Sequence, residues 1–370
     1  MSERRRDSSA WPELVADPET EQLTQLTSIL AEADGPADEA GAWPARLWQI
    51  VTDAGAPLWS LPRELGGSEC DRATLAERYA RMAEGSLTAA FILTQHDAAV
   101  RRLLPAADRP SAAHWLREIA AGRAFTTVGI SHLTTSRRYG AQALAASERI
   151  GGGYRLKGMI PWVTAAERAQ VLVTGATLDD GRQLLLAVPT DRPGLTVRPA
   201  FPLAALQASC TAEVACEDVE VTESEVLAGP LNEVLSSPSA AGTGGLETSA
   251  LALGQAHAAL VALQAETPKH DELAEPVEAL ADAWHQLWLD LIAAAQGRDD
   301  APSSAQIRSQ ANALVLRLTQ AHLTARKGTG FLRTDPAQRW ARQALFFLVW
   351  SCPGPVARAA IRDLAGLCAT

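Results

Sequence analysis

The chain has 370 residues, of which 47% are hydrophobic and 21% are charged, fractions typical of globular proteins rather than of disordered or membrane-embedded chains. Its net charge of −10 and the lack of any long basic run argue against a nucleic-acid partner. No stretch approaches the ~20 consecutive apolar residues that cross a bilayer, and the five cysteines are scattered without CxxC spacing. We therefore expect a cytoplasmic protein with no membrane span, no disulfide framework and no metal site.

The first predicted elements are helices. Apolar residues recur at helical spacing from residue 18 to residue 122, as Leu23 and Leu26 illustrate. In a loop that interrupts this pattern, Asp71 is placed to cap the helix that follows. The pattern predicts an N-terminal helical domain over residues 18–122, preceded by a flexible N-terminus over residues 1–17.

The next zone, residues 123–230, has the pattern of a β-domain. Short runs rich in Val, Thr, Leu and Tyr are separated by glycine and proline, and several alternate in polarity. The triple glycine from Gly151 to Gly153 is typical of a hairpin turn. Seven predicted strands without an intervening helix favour an antiparallel sandwich or barrel.

Helical spacing returns over residues 231–370 in three long segments, which predicts a C-terminal helical bundle. One segment carries Trp284 and Trp288 on an apolar stripe that belongs either to the core or to an oligomer interface. Asp335 and Pro336 have the residue types of a helix cap and a first helical turn. The predicted fold class is therefore α+β, with a helical domain, a β-domain and a helical bundle in that order.

Five local motifs carry a resemblance to a known family, and they span the chain from about Leu61 to Ala360. The motifs are LPRELGG, ASERIGGGYRLKGMIPWVTAAERAQVLV, LLLAVPTDRPGLTV, CEDVEV and GTGFLRTDPAQRWARQA. Together with the order of the three zones, they make the chain resemble a divergent member of the acyl-CoA dehydrogenase family. No single motif would suffice, but five in the same order are fairly specific.

The resemblance implies FAD bound between the β-domain and the bundle. Trp162, Val163 and Thr164 then flank the isoalloxazine ring, with the Thr164 hydroxyl as a donor to the flavin. Val128 and Gly129 match strand positions whose backbone approaches the ring. A flavin that accepts hydride needs an apolar wall and a donor near its ring nitrogens, and these residue types agree with that need. The alternative is that Trp162 to Thr164 only end a packed strand.

The match with the family ends after Gly129. Ser131 and His132 stand where the family has an acidic, glycine-rich loop, and both are candidate contacts of the cofactor. His132 could serve as a titratable donor to flavin or substrate. The interpretation that we favour for His132 is a loop histidine hydrogen-bonded to the backbone.

The usual catalytic base of the family is missing. The family removes a proton alpha to a thioester while the flavin takes hydride from the beta carbon, and a carboxylate is the usual base. Ser351 stands at the position of that glutamate, so we expect it to face the substrate without acting as a base. A minority of the family carries the base at the start of the bundle, here at Gly244. Glu247, three residues later on the same helical face, is the candidate catalytic carboxylate, unless it only complements the helix dipole.

The family's pyrophosphate-binding motif is also missing from the bundle. Lys269 and His270 are the basic residues of the shortened segment, and Arg326, Lys327 and the following glycine turn are further candidates for phosphate binding. By resemblance we expect a homodimer or homotetramer, and an electron-transfer protein as a possible partner.

Three functions are compatible with these residues. The leading hypothesis is an FAD-dependent oxidoreductase acting on an acyl thioester, either an acyl-CoA or a carrier-bound acyl group. The second is a flavin-dependent monooxygenase on the same fold, in which Ser131, His132 and Ser351 line an oxygen-reacting pocket and no glutamate base is needed. The third is a catalytically degenerate binding protein that has lost the flavin, which the missing phosphate motif favours and the retained Trp-Val-Thr segment opposes.

Overall fold

The computed structural model describes residues 11–15, 17, 19–134, 144–237, 245–350 and 354–367. Within these residues, helices come first, then strands, then helices again. The helices are α1 Thr20–Ala40, α2 Ala45–Asp53, α3 Arg72–Gly85, α4 Leu87–Leu103, α5 Pro110–Ala120, α6 Glu247–Glu266, α7 Ala274–Ala295, α8 Ser304–Gly330, α9 Pro336–Ala344, α10 Phe346–Val349 and α11 Gly354–Leu364. The strands are β1 Thr126–Gly129, β2 Leu144–Glu148, β3 Tyr154–Val163, β4 Val171–Thr177, β5 Gln183–Pro189, β6 Leu195–Val197, β7 Ala212–Val221 and β8 Val226–Leu231.

The N-terminal helices and the bundle share one core. Leu23 of α1, Tyr79 of α3 and Leu253 of α6 belong to the same cluster of buried side chains. Asp71 caps α3 as predicted, because its side chain accepts a hydrogen bond from the backbone N–H of Thr74 at 2.8 Å. The two helical zones are therefore separate in sequence but continuous in packing.

The strands form one mixed sheet in the order β6-β7-β3-β2-β4-β5-β8, with β1 beside β4. The hairpin predicted at the triple glycine is confirmed, since β2 and β3 pair in antiparallel fashion on either side of it. β1 and β2 each pair with β4 in parallel, so the sheet is not purely antiparallel. The sequence analysis missed β8, whose Gly229 and Pro230 are typical of a loop; proline is tolerated there because β8 is an edge strand.

The sheet is buried on both of its faces. One face encloses the domain's own core, which includes Leu156, Ile160 and Val219. On the other face, Val100 of α4 lies in one apolar cluster with Val128 of β1. This second contact joins the sheet to the helical part of the molecule.

The bundle helices settle one alternative left open by the sequence. Trp284 and Trp288 are 2% and 0% exposed in the single chain, and their rings are stacked 6.1 Å apart. They are therefore core residues rather than interface residues. Asp335 caps α9 by accepting a hydrogen bond from the backbone N–H of Ala337, and Pro336 is the first residue of that helix, both as predicted.

The predicted fold class is confirmed: helical elements, a central sheet and a helical bundle follow one another along the chain. We propose domain boundaries at residues 122/123, shortly before β1, and 230/231, which separates the last residue of β8 from the rest of that strand. Trp11, within the segment expected to be a flexible N-terminus, is 9% exposed and packs against Trp288 at a centroid distance of 4.7 Å. None of the described helices is long and apolar enough to cross a membrane.

The close approach of α3 and α6 yields a first prediction. A Cβ atom at Gly254 would lie 1.9 Å from the carbonyl oxygen of Ala80, whereas a Cβ at Gly328 of α8 would meet nothing within 4 Å. Gly254→Ala should therefore force the two helices apart and lower the free energy of unfolding by about 1–3 kcal/mol or more. Gly328→Ala, the same change in another helix, should be neutral or slightly stabilising. Denaturant titration of both variants checks this; equal stabilities would contradict the packing described here.

Candidate functional site

The end of strand β3 turns one aromatic side chain out of the sheet. The pairing of β3 with β7 shifts register between Ile160 and Val163, and Trp162 lies in the left-handed backbone region with φ 57°. Its indole is 43% exposed and packs beside the Phe201 ring at a centroid distance of 4.8 Å. Left-handed backbone at a non-glycine residue is uncommon and tends to cluster at functional sites. The turn thus presents an aromatic surface at the edge of the β-domain.

The next two residues are buried. Val163 is 0% exposed and Thr164 is 1% exposed. The Oγ1 atom of Thr164 lies 3.2 Å from Oγ1 of Thr211, which in turn lies 2.8 Å from Oγ of Ser209. The backbone N–H of Ala165 donates to the carbonyl of Ser209 at 2.9 Å, so the turn is fixed to the segment before β7.

Strand β1 brings the other predicted segment to the same place. A Cβ atom at Gly129 would lie 2.7 Å from Cγ2 of Ile160 and 2.9 Å from Cγ2 of Val163, so only glycine allows β1 to lie this close to β3. Beyond the strand, the Ser131 hydroxyl donates to the carbonyl of Pro161 at 3.2 Å. The segments around Gly129 and Trp162, 33 positions apart in sequence, are therefore neighbours in space. The Val128 side chain packs toward the helices, which leaves only its backbone for a ligand.

His132 has the geometry of a structural histidine. It is 7% exposed, and its Nε2 atom lies 2.7 Å from the carbonyl oxygen of Gly175, which makes Nε2 the protonated donor. This is the backbone-bonded arrangement favoured from the sequence. Its neighbour Leu133 fills the space above Gly175, where a Cβ would meet the leucine side chain at 2.0 Å.

Helix α4 contacts both the segment after Trp162 and the end of the bundle. Ile92 of α4 shares an apolar cluster with Ala165, immediately after the turn. One residue earlier, Phe91 packs on Phe346 and Trp350 at centroid distances of 4.8 and 4.7 Å. Helix α4 therefore joins the candidate cofactor segment to the last turn before residue 351.

Ser351 itself lies outside the described residues, but the chain leading to it is firmly held. Arg308 of α8 donates to the carbonyl of Trp350 at 2.8 Å. Asn312, one turn along α8, donates from Nδ2 to the carbonyl of Phe347 at 2.7 Å. A second link ties α9 to the loop before β7, because Arg342 donates to the carbonyl of Ala204 at 3.3 Å.

Glu247 is the first residue of α6 and is held by an arginine. Its Oε1 atom lies 3.1 Å from Nη2 of Arg101, and the two side chains are 33% and 27% exposed. Behind this ion pair, the Tyr79 hydroxyl donates a short hydrogen bond to the Asp97 carboxylate, and both residues are fully buried. Burial raises the pKa of Asp97 to about 7 and, together with Asp97, raises the pKa of Tyr79 well above its usual value. Gly244, the position of the base in a minority of the family, is outside the described residues.

The candidate phosphate-binding residues lie elsewhere. Arg326 forms ion pairs of 2.9 Å with both Glu266 and Asp335, and Lys269 lies 3.6 Å from Glu266. Carboxylates therefore hold these two cations together, and the same carboxylates already neutralise their charges. Glu266 ends α6 and Glu247 begins it, so the two groups are separated by about 28 Å of helix. Within one chain they do not belong to one site.

Sequence reasoning missed Arg101, Ser209, Thr211 and Phe201. Their signal is weak because each acts across elements: Arg101 through an ion pair with the start of α6, and the others through contacts with the end of β3. Among the described residues, no group of three or more His, Cys, Asp or Glu side chains is arranged to hold a metal ion.

Comparisons with known proteins agree with the motifs. The probable acyl-CoA dehydrogenase YngJ of Bacillus subtilis (strain 168) is 28% identical over 250 residues, which cover 65% of this chain and 65% of the relative, less than two thirds of either. No protein-family model matches the chain. The resemblance to the acyl-CoA dehydrogenase family is confirmed at the level of a divergent relative.

Solved structures show the fold. A glutaryl-coenzyme A dehydrogenase in complex with glutaryl-CoA matches with a TM-score of 0.81 and 16% identity, over 96% of this chain and 98% of that one. Butyryl-CoA dehydrogenase from Megasphaera elsdenii matches with a TM-score of 0.79 and 16% identity, over 96% and 100% of the two chains. The fold is therefore that of the acyl-CoA dehydrogenases over nearly the whole length.

The buried Asp97 predicts a pH dependence of stability. Its pKa rises from 3.8 to about 7 on folding, so the native carboxyl binds a proton more tightly than the unfolded one. Its contribution to the free energy of unfolding is complete below about pH 4 and is lost as the pH rises to about 7, on the order of 1 kcal/mol per pH unit. Asp97→Asn should remove this part of the pH dependence. Asp363→Asn, at a 44% exposed surface carboxylate, is the control.

Unfolding curves at several pH values between 4 and 8 measure the effect. Each variant is compared with the parent protein at the same pH, so that other titrating groups, such as Glu77, cancel in the difference. Parallel profiles for the parent and Asp97→Asn would contradict the assignment of this dependence to Asp97.

Proposed function

We propose that the protein is an FAD-dependent oxidoreductase of the acyl-CoA dehydrogenase type that acts on an acyl thioester, either an acyl-CoA or a carrier-bound acyl group. The observation that carries the proposal is the meeting of two segments, around Gly129 and around Trp162, at the end of β3 and beside α4. The fold and the curated relative support the same assignment.

The residues where these two segments meet fit a flavin. The exposed Trp162 indole and the Phe201 ring offer a flat aromatic surface to a planar ring. Thr164 has a buried hydroxyl beside that surface, and Ser131 and the backbone of Gly129 lie next to it. When bound, FAD supplies the hydride acceptor. The protein's part is then to exclude water with apolar side chains and to donate hydrogen bonds to the ring.

We assign the proton-accepting role to Glu247. Arg101 holds its carboxylate in place at the start of α6, and the buried Tyr79–Asp97 pair supports the same corner of the molecule. A thioester whose alpha carbon lies against Glu247 would lose its proton there while the beta carbon faces the flavin ring. Ser351 is proposed to contact the substrate without taking the proton.

Oligomerisation belongs to the same proposal. Ile361 and Leu364 of α11 are 67% and 65% exposed, and Phe331 after α8 is 80% exposed. Such apolar residues on the outside of the bundle support a homodimer or homotetramer. An electron-transfer protein as the redox partner and a location in the cytoplasm stay predictions.

Flavin reduction by substrate is the central prediction of this function. Anaerobic addition of acyl-CoA thioesters of increasing chain length to the FAD-loaded protein should bleach the visible flavin absorbance with at least one chain length. Glu247→Gln should slow the bleaching by at least about 100-fold, because a glutamine cannot accept the proton. Glu272→Gln, at a 74% exposed glutamate, is the matched control and should not alter the rate.

Three results separate the alternatives. If no thioester bleaches the flavin but reduced flavin consumes oxygen, the monooxygenase hypothesis replaces the dehydrogenase. Bleaching at the same rate in Glu247→Gln and the parent protein would place the base elsewhere. A protein that takes up no FAD would leave the binding-protein hypothesis.

Flavin affinity tests the position of the ring. Trp162→Ala should weaken FAD binding by about threefold to tenfold through loss of stacking, and Trp162→Phe should retain most of the affinity. Ile150→Ala, at an exposed apolar residue beside the β2–β3 hairpin turn, should bind FAD like the parent. Titration followed by quenching of flavin fluorescence gives the dissociation constants. Equal affinities for Trp162→Ala and Ile150→Ala would place the ring away from Trp162.

A further inference from the structure

We propose that Ser209 and Thr211 are positioning residues, which together with Thr164 form an ordered chain of three hydroxyl groups that aims the Thr164 O–H at the ring of bound FAD. This inference rests on the proposed function, since it requires FAD beside Trp162. It adds two residues that do not touch the flavin but determine how the one that does is oriented.

The three hydroxyl groups are close together and shielded from water. Thr164 and Thr211 lie 3.2 Å apart and Thr211 and Ser209 lie 2.8 Å apart, each measured between side-chain oxygens. Exposure is 1% for Thr164, 2% for Thr211 and 0% for Ser209. Among the described residues, the three side chains form these two hydrogen bonds and no others.

Counting hydrogens shows that the chain has one donor to spare. Each hydroxyl carries one hydrogen, so three hydroxyls have three hydrogens but only two bonds between them. The spare hydrogen lies on Thr164, on Ser209 or, if both of these donate to Thr211, on Thr211 itself. No described residue offers it an acceptor in any of the three arrangements, and an unmade bond by a buried donor is costly.

A bound flavin removes this cost at one end only. Thr164 follows Trp162 and Val163, so its end of the chain is beside the aromatic surface proposed to hold the ring. Ser209 lies within the loop before β7 and is completely buried. If Ser209 donates to Thr211 and Thr211 donates to Thr164, the spare hydrogen is on Thr164 and would be available to an acceptor atom of the ring. Binding of the ring thus selects one direction for the whole chain.

Backbone hydrogen bonds hold the segments that carry these hydroxyls in place without a ligand. The carbonyl of Ser209 accepts the N–H of Ala165, and the carbonyl of Thr211 accepts the N–H of Phe201, both at 2.9 Å. Left-handed backbone angles at Ala165 and Cys210, φ 53° and 47°, flank the hydroxyls on both segments. A donor that is already oriented stabilises charge on a ligand without the cost of reorganisation. The chain of hydroxyl groups is therefore suited to alter the reduction potential of the bound flavin rather than only to fill space.

The test is the midpoint potential of the bound flavin. Thr211→Val keeps the shape of the side chain and removes the hydroxyl, so the Thr164 O–H is no longer oriented. A donor stabilises the electron-rich reduced ring, so its loss should disfavour reduction by about tenfold in the equilibrium constant, or about 30 mV to lower potential for a two-electron couple. Thr211→Ser should restore the parent potential, and Ser209→Ala should shift it in the same direction but less. Thr319→Val, at a fully buried threonine bonded within α8, is the control and should show no shift.

The outcomes distinguish this inference from the function on which it rests. Unchanged potentials in Thr211→Val and Ser209→Ala, with FAD bound, would overturn the hydroxyl chain and leave the proposed function standing. If the parent protein binds no FAD, both fall. Should Thr211→Val not fold, Ser209→Ala and Thr211→Ser carry the test: the predicted shift in the former with none in the latter supports the chain, and any other result contradicts it.

Discussion

Helix α4 is buried on nearly all of its sides and joins the three parts of the fold. Its Phe91 packs on Phe346 at the end of the bundle, Ile92 shares a cluster with Ala165 of the β-domain, and Val100 packs toward the opposite face of the sheet. Most residues of α4 are buried, polar ones such as His96 and Asp97 included, so the helix lies between other elements. It therefore contacts both the segment after β3 and the last bundle helices, and the proposed flavin site lies at the end of β3.

Most of the fold could be predicted from local sequence patterns, and so could the half of the site that is contiguous in the chain. The caps at Asp71 and Asp335 could be predicted because capping needs only neighbouring residues. The Trp162 to Thr164 turn stood out through its motif. By contrast, Thr211 contacts Thr164 across 47 positions, and no periodicity reports a side-chain contact of that separation. The same limit hid the Arg101 partner of Glu247, whereas strand β8 was missed because its proline is typical of loops.

The ion pairs at the two ends of α6 differ in what they can bind. At its start, Glu247 and Arg101 form a partly exposed ion pair over the buried Asp97, an arrangement that can hold a carboxylate near a substrate. At its end, Glu266 and Arg326 form a pair whose charges already neutralise each other. A flavin pyrophosphate would have to displace Glu266 to bind there. The structure therefore supports the ring-binding half of an FAD site more strongly than its phosphate-binding half.

The visible absorption spectrum of the protein purified from a flavin-replete host, with the released cofactor identified after denaturation, shows whether the protein binds FAD. We expect a stoichiometric FAD spectrum. It would mean that the aromatic and hydroxyl surface at Trp162 and Thr164 holds the flavin despite the missing phosphate motif. A colourless protein that also fails to take up added FAD would contradict the account and leave the acyl-CoA dehydrogenase fold reused for binding alone.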